Sequence, residues 1–246
     1  VAAIAFWAGA GWADEADARR ILMAMSDYLA ALQEFSFDYD SLHEIVSTEG
    51  EKIGLAHSGM VAVSRPDRIH ATRVGGFTDL DMTYDGATFA VAERDAGLHA
   101  QLGLAADLDG LVDVLRDTHG RPLPSADLIV AEPFDILMDG VSEVKDLGSG
   151  VIGGVECDHL AFRNADVDWQ IWIAQGDDPH PCLFVITSRD VETAPQYSVT
   201  IRNWREDASR ASFAISPSEG AREVDFEVFA EAVSGFPDHF IREDSK

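Results

Sequence analysis

The residues best suited to chemistry stand together at Cys157-Asp158-His159, where a thiol, a carboxylate and an imidazole follow one another. Such groups bind a metal or activate a nucleophile only if their side chains converge. Here the surrounding sequence sends them apart. Residues 155–163 are rich in aromatic and branched side chains and read as a β-strand, on which successive side chains point to opposite faces. Cys157 and His159 then share a face that Asp158 leaves, and two ligands are too few for a structural zinc site. His180 lies between two prolines, His43, His57, His70, His99, His119 and His239 have no ligand spacing, and no HExxH occurs. Ser58-Gly59 and Ser149-Gly150 lack the G-x-S-x-G setting of an exposed nucleophile. With 44 acidic residues, a glycosidase-like pair of acids is unconstrained. An enzyme would need Asp158, His159 or Asp168 in one cleft, which strand alternation makes awkward. The chain therefore reads as a non-enzyme without metal or cofactor.

The elements that must hold these residues are three strands, 155–163, 168–174 and 182–189. They are separated by Asn164-Ala165-Asp166 and by Gly176-Asp177-Asp178-Pro179, and the pattern predicts an antiparallel meander. In the middle strand Trp169, Ile171 and Ile173 fall on one face and Gln170 and Trp172 on the other. One side is strongly apolar and the second only partly polar, so the sheet needs cover or a ligand. Cys157 and Cys182 both fall opposite the neighbourhood of Ala174, two strands apart. That is roughly 9 to 10 Å, beyond easy disulfide reach, so the pair reads as two buried thiols although an exporting compartment favours a bridge.

Upstream, apolar residues at three- and four-residue steps predict an amphipathic helix over 17–32. Alternation predicts strands over 35–46, 53–64 and 68–74, then a hairpin of 79–84 and 87–93 about Asp85-Gly86, read as a type I′ turn. A helix follows over 105–119 and ends at Gly120. Ser125 is expected to cap a second short helix over 126–131, which Pro133 ends. Strands resume at 141–147, with Gly148-Ser149-Gly150 and Gly153-Gly154 read as turns rather than a phosphate cradle, because no helix follows. Further strands are expected at 197–204 and 213–215, and a short helix at 224–232. Successive hairpins with few helices build an antiparallel sheet, and the two central helices are placed to cover its apolar face.

The 246 residues are 46% apolar, enough for one large domain, and the net charge is −26. With only Lys52, Lys145 and Lys246 as lysines, the chain is a poor match for a polyanion, so nucleic acid and anionic membrane surfaces are not expected partners. The uncharged run VAAIAFWAGAGWA ends in small residues before Asp14 and reads as the back half of a secretory signal peptide cut after Ala13. The expected arrangement is a leader remnant over 1–13 and a single domain over 14–246, exported to the periplasm without a permanent membrane anchor.

The run CDHLAFR at 157–163, DWQIWI at 168–173, Gly176-Asp177, Pro179 and Val185-Ile186-Thr187 resembles an uncharacterised family of periplasmic proteins. Arg65-Pro66-Asp67, Tyr84-Asp85-Gly86 and LPSADL at 123–128 match as well, so the resemblance runs from Ala16 to Trp204. That family is similar to the LolA-like lipoprotein carriers and to periplasmic sensors of the same superfamily. The resemblance implies a mainly β, α+β fold: a strongly curved antiparallel sheet forming an incomplete barrel, with an N-terminal helix and two short helices over its concave face. It implies a monomer that binds a lipid, an acyl chain, another hydrophobic molecule or a lipidated protein between sheet and helices. The candidate lining is Phe37, Tyr39, Leu108, Leu111, Leu115, Trp169, Ile171, Ile173 and Val185. The alternative is a sensor or interaction protein that docks a protein partner and has a filled interior.

Overall fold

The computed structural model describes residues 11–120, 123, 125–209, 211–215 and 217–233. Residues 1–10 of the expected leader lie outside that set, and from Gly11 the chain is already helical in α1 (Gly11–Ala31). Ala18, Leu22, Met25 and Leu29, spaced by four, three and four, are fully buried and make its packed face. Hairpins then follow one another as β1 (Glu34–Val46), β2 (Lys52–Ser64), β3 (Arg68–Gly75), β4 (Thr78–Asp85), β5 (Thr88–Glu93) and β6 (Leu98–Gly103). A helical crossover contains α2 (Leu108–Asp113) and α3 (Pro133–Met138). The second run of strands is β7 (Glu143–Ile152), β8 (Val155–Arg163), β9 (Val167–Ala174), β10 (Pro181–Ser188) and β11 (Gln196–Arg205), followed by the short β12 (Arg222–Glu223) and α4 (Phe226–Ala232).

All twelve strands form one sheet in the order β12-β6-β5-β4-β3-β2-β1-β11-β10-β9-β8-β7. The sheet is curved and open, an incomplete barrel ending at β12 and β7. Each hairpin array is local, and the two arrays join where β1 pairs with β11, from Ser36↔Arg205 to His43↔Tyr197. One large core lies between the sheet and α1, α2 and α3, and includes Phe35, Val63, Tyr84, Leu160, Ile171 and Phe184.

Several expectations change. The tight turn after β4 has Gly86 and Ala87 at its centre, and of Asp85, Gly86 and Ala87 only Gly86 has positive φ (+90°). A type I′ turn needs two such residues and is not formed. Instead Asp85 Oδ1 accepts from the amides of Ala87 and Thr88 at 3.0 and 2.8 Å. The central helix starts later than residue 105, because the buried Tyr84 hydroxyl bonds the carbonyls of Leu104 and Ala106 and the amide of Ala106. Asp107 caps it through Gly110 N, and it ends in a π turn over Val114–Thr118. Ser125 caps nothing: its φ is +62°, and only a 3-10 turn, Ala126–Leu128, follows. Pro133 opens α3 rather than ending a helix, since at the first helical position its missing N–H costs nothing. Gly148 and Gly150 lie within β7, at a bulge between Asp146 and Ser149, and residues 213–215 form no strand.

Packing at this density predicts a sharp contrast between faces. Leu160→Ala, at a fully buried position, should lower the unfolding free energy by about 2–5 kcal/mol, whereas Val151→Ala, at a residue 65% exposed, should change it by less than about 1 kcal/mol. Urea melts of both variants check this, and equal losses would mean that the core is misplaced.

Candidate functional site

The motif residues that first suggested chemistry are partners in a strand ladder. Residues 157–163 and 168–174 pair as Cys157↔Ala174, His159↔Trp172, Leu160↔Ile171, Phe162↔Trp169 and Arg163↔Asp168. Phe162 stacks on Trp169 at 3.9 Å between ring centroids and His159 on Trp172 at 3.8 Å. His159 Nε2 meets Gln170 Oε1 at 2.9 Å. Arg163 donates twice to Asp168, at 2.6 and 2.9 Å, and holds that carboxyl below the ordinary range. Asp158 instead accepts from Gln175. These contacts cross-link two strands and fix their register, and among the described residues no group of three or more His, Cys, Asp or Glu is placed to hold a metal.

Cys157 and Cys182 are buried free thiols on either side of Ala174, covered by Ile152 and Trp172. Burial pushes the Cys182 thiol up to about 12, helped by its contact with Cys157, and moves Cys157 in the same direction. A thiol so shifted is not a nucleophile at neutral pH.

The concave core gathers most of the expected lining. Phe37, Leu108, Leu111, Leu115, Trp169, Ile171 and Ile173 are buried in one cluster, with Tyr39 half-buried at its edge. Val185 is a correction: it pairs with Gln170, whereas Phe184 pairs with Ile171, so Phe184 faces the core and Val185 the convex side. Alternation allows either assignment when both neighbours are apolar.

None of those residues lines a cleft of about 610 Å³ that opens beside β11. Pairing of β10 with β11 stops at Leu183↔Thr200, because β10 begins only at Pro181 and carries a bulge before Leu183. Beyond Thr200, β11 continues to Arg205 with β1 on one side and the cleft on the other. Tyr28, Ile152, Val155, His180 and Cys182 complete much of the wall. Asn203, at φ +54° beside a register irregularity, precedes the residue that closes the inner end. That residue is Trp204, stacked on Phe35 at 5.2 Å, Phe37 at 5.7 Å and His180 at 5.1 Å. Its indole N–H donates to the Tyr28 hydroxyl at 3.0 Å, which donates to Glu206 at 2.9 Å, and burial pushes the Tyr28 phenol up to about 12. Asp178 and Glu206 stand with Arg202 and Arg205 in the wall of the cleft, which is mixed in polarity and in charge. The sequence signal for it was Pro179-His180-Pro181, which delays the start of a strand.

A family model described as predicted periplasmic protein, DUF2092, matches residues 18–227. The chain belongs to the DUF2092 family. This DUF2092 chain is similar to the Mycobacterium tuberculosis lipoprotein LppX, at 14% identity over 83% of this chain and 100% of that one, with a TM-score of 0.46. It is similar to an uncharacterised conserved protein from Thermus thermophilus, at 9% identity over 85% and 99% of the two chains and a TM-score of 0.49. A LolA superfamily protein from Nitrosomonas europaea is similar at 9% identity over 83% and 97%, with a TM-score of 0.34. No curated protein matches. Among the described residues of the DUF2092 chain, no helix is long and apolar enough to cross a membrane.

The thiol environment gives a direct check. With Cys182 at about 12, roughly one thiol in ten thousand is ionised at pH 8, so a disulfide reagent should label the native protein very slowly and both cysteines promptly in denaturant. Fast labelling of the native protein would contradict the buried assignment.

Proposed function

We propose that this protein is an exported, non-catalytic, monomeric binder of a lipid, an acyl chain or another hydrophobic ligand, acting as a carrier or as a chaperone of lipidated cargo. The leader ends at Ala13, and the rest of the chain works as one domain in the periplasm. The observation that carries this reading is the 610 Å³ cleft closed at its inner end by Trp204, whose indole stacks on Phe35 and Phe37 of the concave core. Its volume falls in the range of small-molecule pockets, about 300–1,000 Å³. The ligand enters beside Trp204, and a long chain continues along the concave face over Phe37 and Tyr39 towards Leu108, Leu111, Leu115, Trp169, Ile171 and Ile173. Those residues are in mutual contact, so deeper entry requires the helical cover to give way.

That same packing favours the second reading, an interaction protein with a filled interior that docks a protein partner. The two readings differ in how affinity responds to chain length. Burial of apolar surface makes each added methylene worth about 0.8 kcal/mol, close to a fourfold gain in affinity, until the space is full. A series of straight-chain alcohols displacing a neutral fluorescent dye should show this progression and then a plateau. Affinity that ignores chain length, or no displacement at all, would leave the docking protein as the reading to pursue.

A further inference from the structure

The wall of the cleft carries four charged side chains, Asp178, Arg202, Arg205 and Glu206. They do not neutralise one another. Arg202 turns to Asp40, which lies outside the wall, at 2.7 Å. Glu206 accepts from the Tyr28 hydroxyl at 2.9 Å, and among the described residues no ion pair joins Glu206, Asp178 or Arg205 to a group of opposite charge. Two acids and one cation thus border the same open space without an ionic partner.

The two acids belong to one side of it. Burial first, then Glu206 and Asp178, push the Tyr28 phenol up to about 12, so both carboxylates lie near that hydroxyl. The Asp178 loop is held there by His180, which stacks on Trp204 at 5.1 Å, while the Trp204 indole donates to Tyr28 at 3.0 Å. His180 Nδ1 donates to the Asp178 carbonyl at 2.8 Å, which leaves Nε2 as an acceptor, and burial holds the imidazole below its ordinary range and therefore neutral. Carboxylates and a ring nitrogen beside aromatic surface suit an ammonium group. Arg205 stands apart from them. It follows Trp204 on β11, and successive strand residues point to opposite faces, so the cation is on the other side of the wall from the Trp204 indole and its acids. Its planar fork suits a phosphate.

Building on the reading of the cleft as a hydrophobic site, we propose that the cleft takes an amphiphile with a zwitterionic head, its ammonium by Asp178 and Glu206, its phosphate on Arg205 and its tail against Trp204. Such a head has no net charge, so the −26 of the chain does not repel it.

The test compares molecules with one tail and different heads. Dodecanol, dodecyl phosphate, dodecyltrimethylammonium and dodecylphosphocholine, each below its micelle concentration, displace a neutral naphthylamine dye from the full chain. One charge contact at a partly exposed site changes affinity by up to about fivefold, so two together should let dodecylphosphocholine act at roughly a tenfold lower concentration than dodecanol, ahead of both singly charged heads. Asp178→Asn, at an exposed residue, should weaken the zwitterion and the ammonium about threefold and leave the phosphate no weaker. Arg205→Gln should weaken the zwitterion and the phosphate and leave the ammonium no weaker. If Arg205→Gln does not fold, Asp178→Asn alone carries the test. Dodecanol or a singly charged head that matches dodecylphosphocholine, or a zwitterion preference that survives intact in either variant, overturns the head site and leaves the hydrophobic cleft standing. Failure of all four to displace the dye overturns both.

Discussion

One long-range pairing makes this molecule a single sheet. The strands before the crossover are built from hairpins, and so are those after it, and each array closes its own short loops. Between β1 and β11 the paired residues are far apart in sequence, as at Asp38↔Arg202, so the ladder must repay the closure of a loop that contains about two thirds of the chain. Loop entropy grows slowly with length, which makes the cost tolerable, but it is met only when both arrays are already ordered. β1 is suited to this role. It is 13 residues long, pairs along its length with β2, and carries Phe35 and Phe37 on the face that the Trp204 indole of β11 covers.

The cleft follows from the same junction. β11 is long enough to match β1 beyond Thr200, but β10 starts too late to match β11. Where a long strand lies beside a short one, the sheet must split or be filled by side chains. Here Tyr28 and His180 fill part of the space, Trp204 closes its inner end, and the rest stays open. The site is thus a product of mismatched strand lengths, placed beside the strand pair where the two hairpin arrays meet.

This explains what could be read in the sequence. Strands β1 to β5 and β8 to β11 were legible because period-two alternation and turn residues act over a few positions. The ladder from Cys157↔Ala174 to Arg163↔Asp168 follows directly from the turn at Asn164-Ala165-Asp166. β6 was missed because His99 and Gln101 dilute a short run, and α3 was missed because a proline opens it rather than closes its predecessor. Ser125 has the composition of a cap without its backbone conformation. Most of the expected lining was recognised as inward-facing, yet Val185 was placed on the wrong side because Phe184 and Val185 are equally apolar and only strand register separates them. Of the cleft, only the late start of β10 at Pro179-His180-Pro181 is written locally in the sequence. The rest depends on where three strands end relative to one another, and the β1–β11 pairing that sets those ends is not a local property.

The overall charge bears on what such a site can take. A net charge of −26 repels anions at long range, but at physiological salt that field decays over about 8 Å. A ligand of the cleft would therefore bind through its apolar part, whose burial is insensitive to the surface charge.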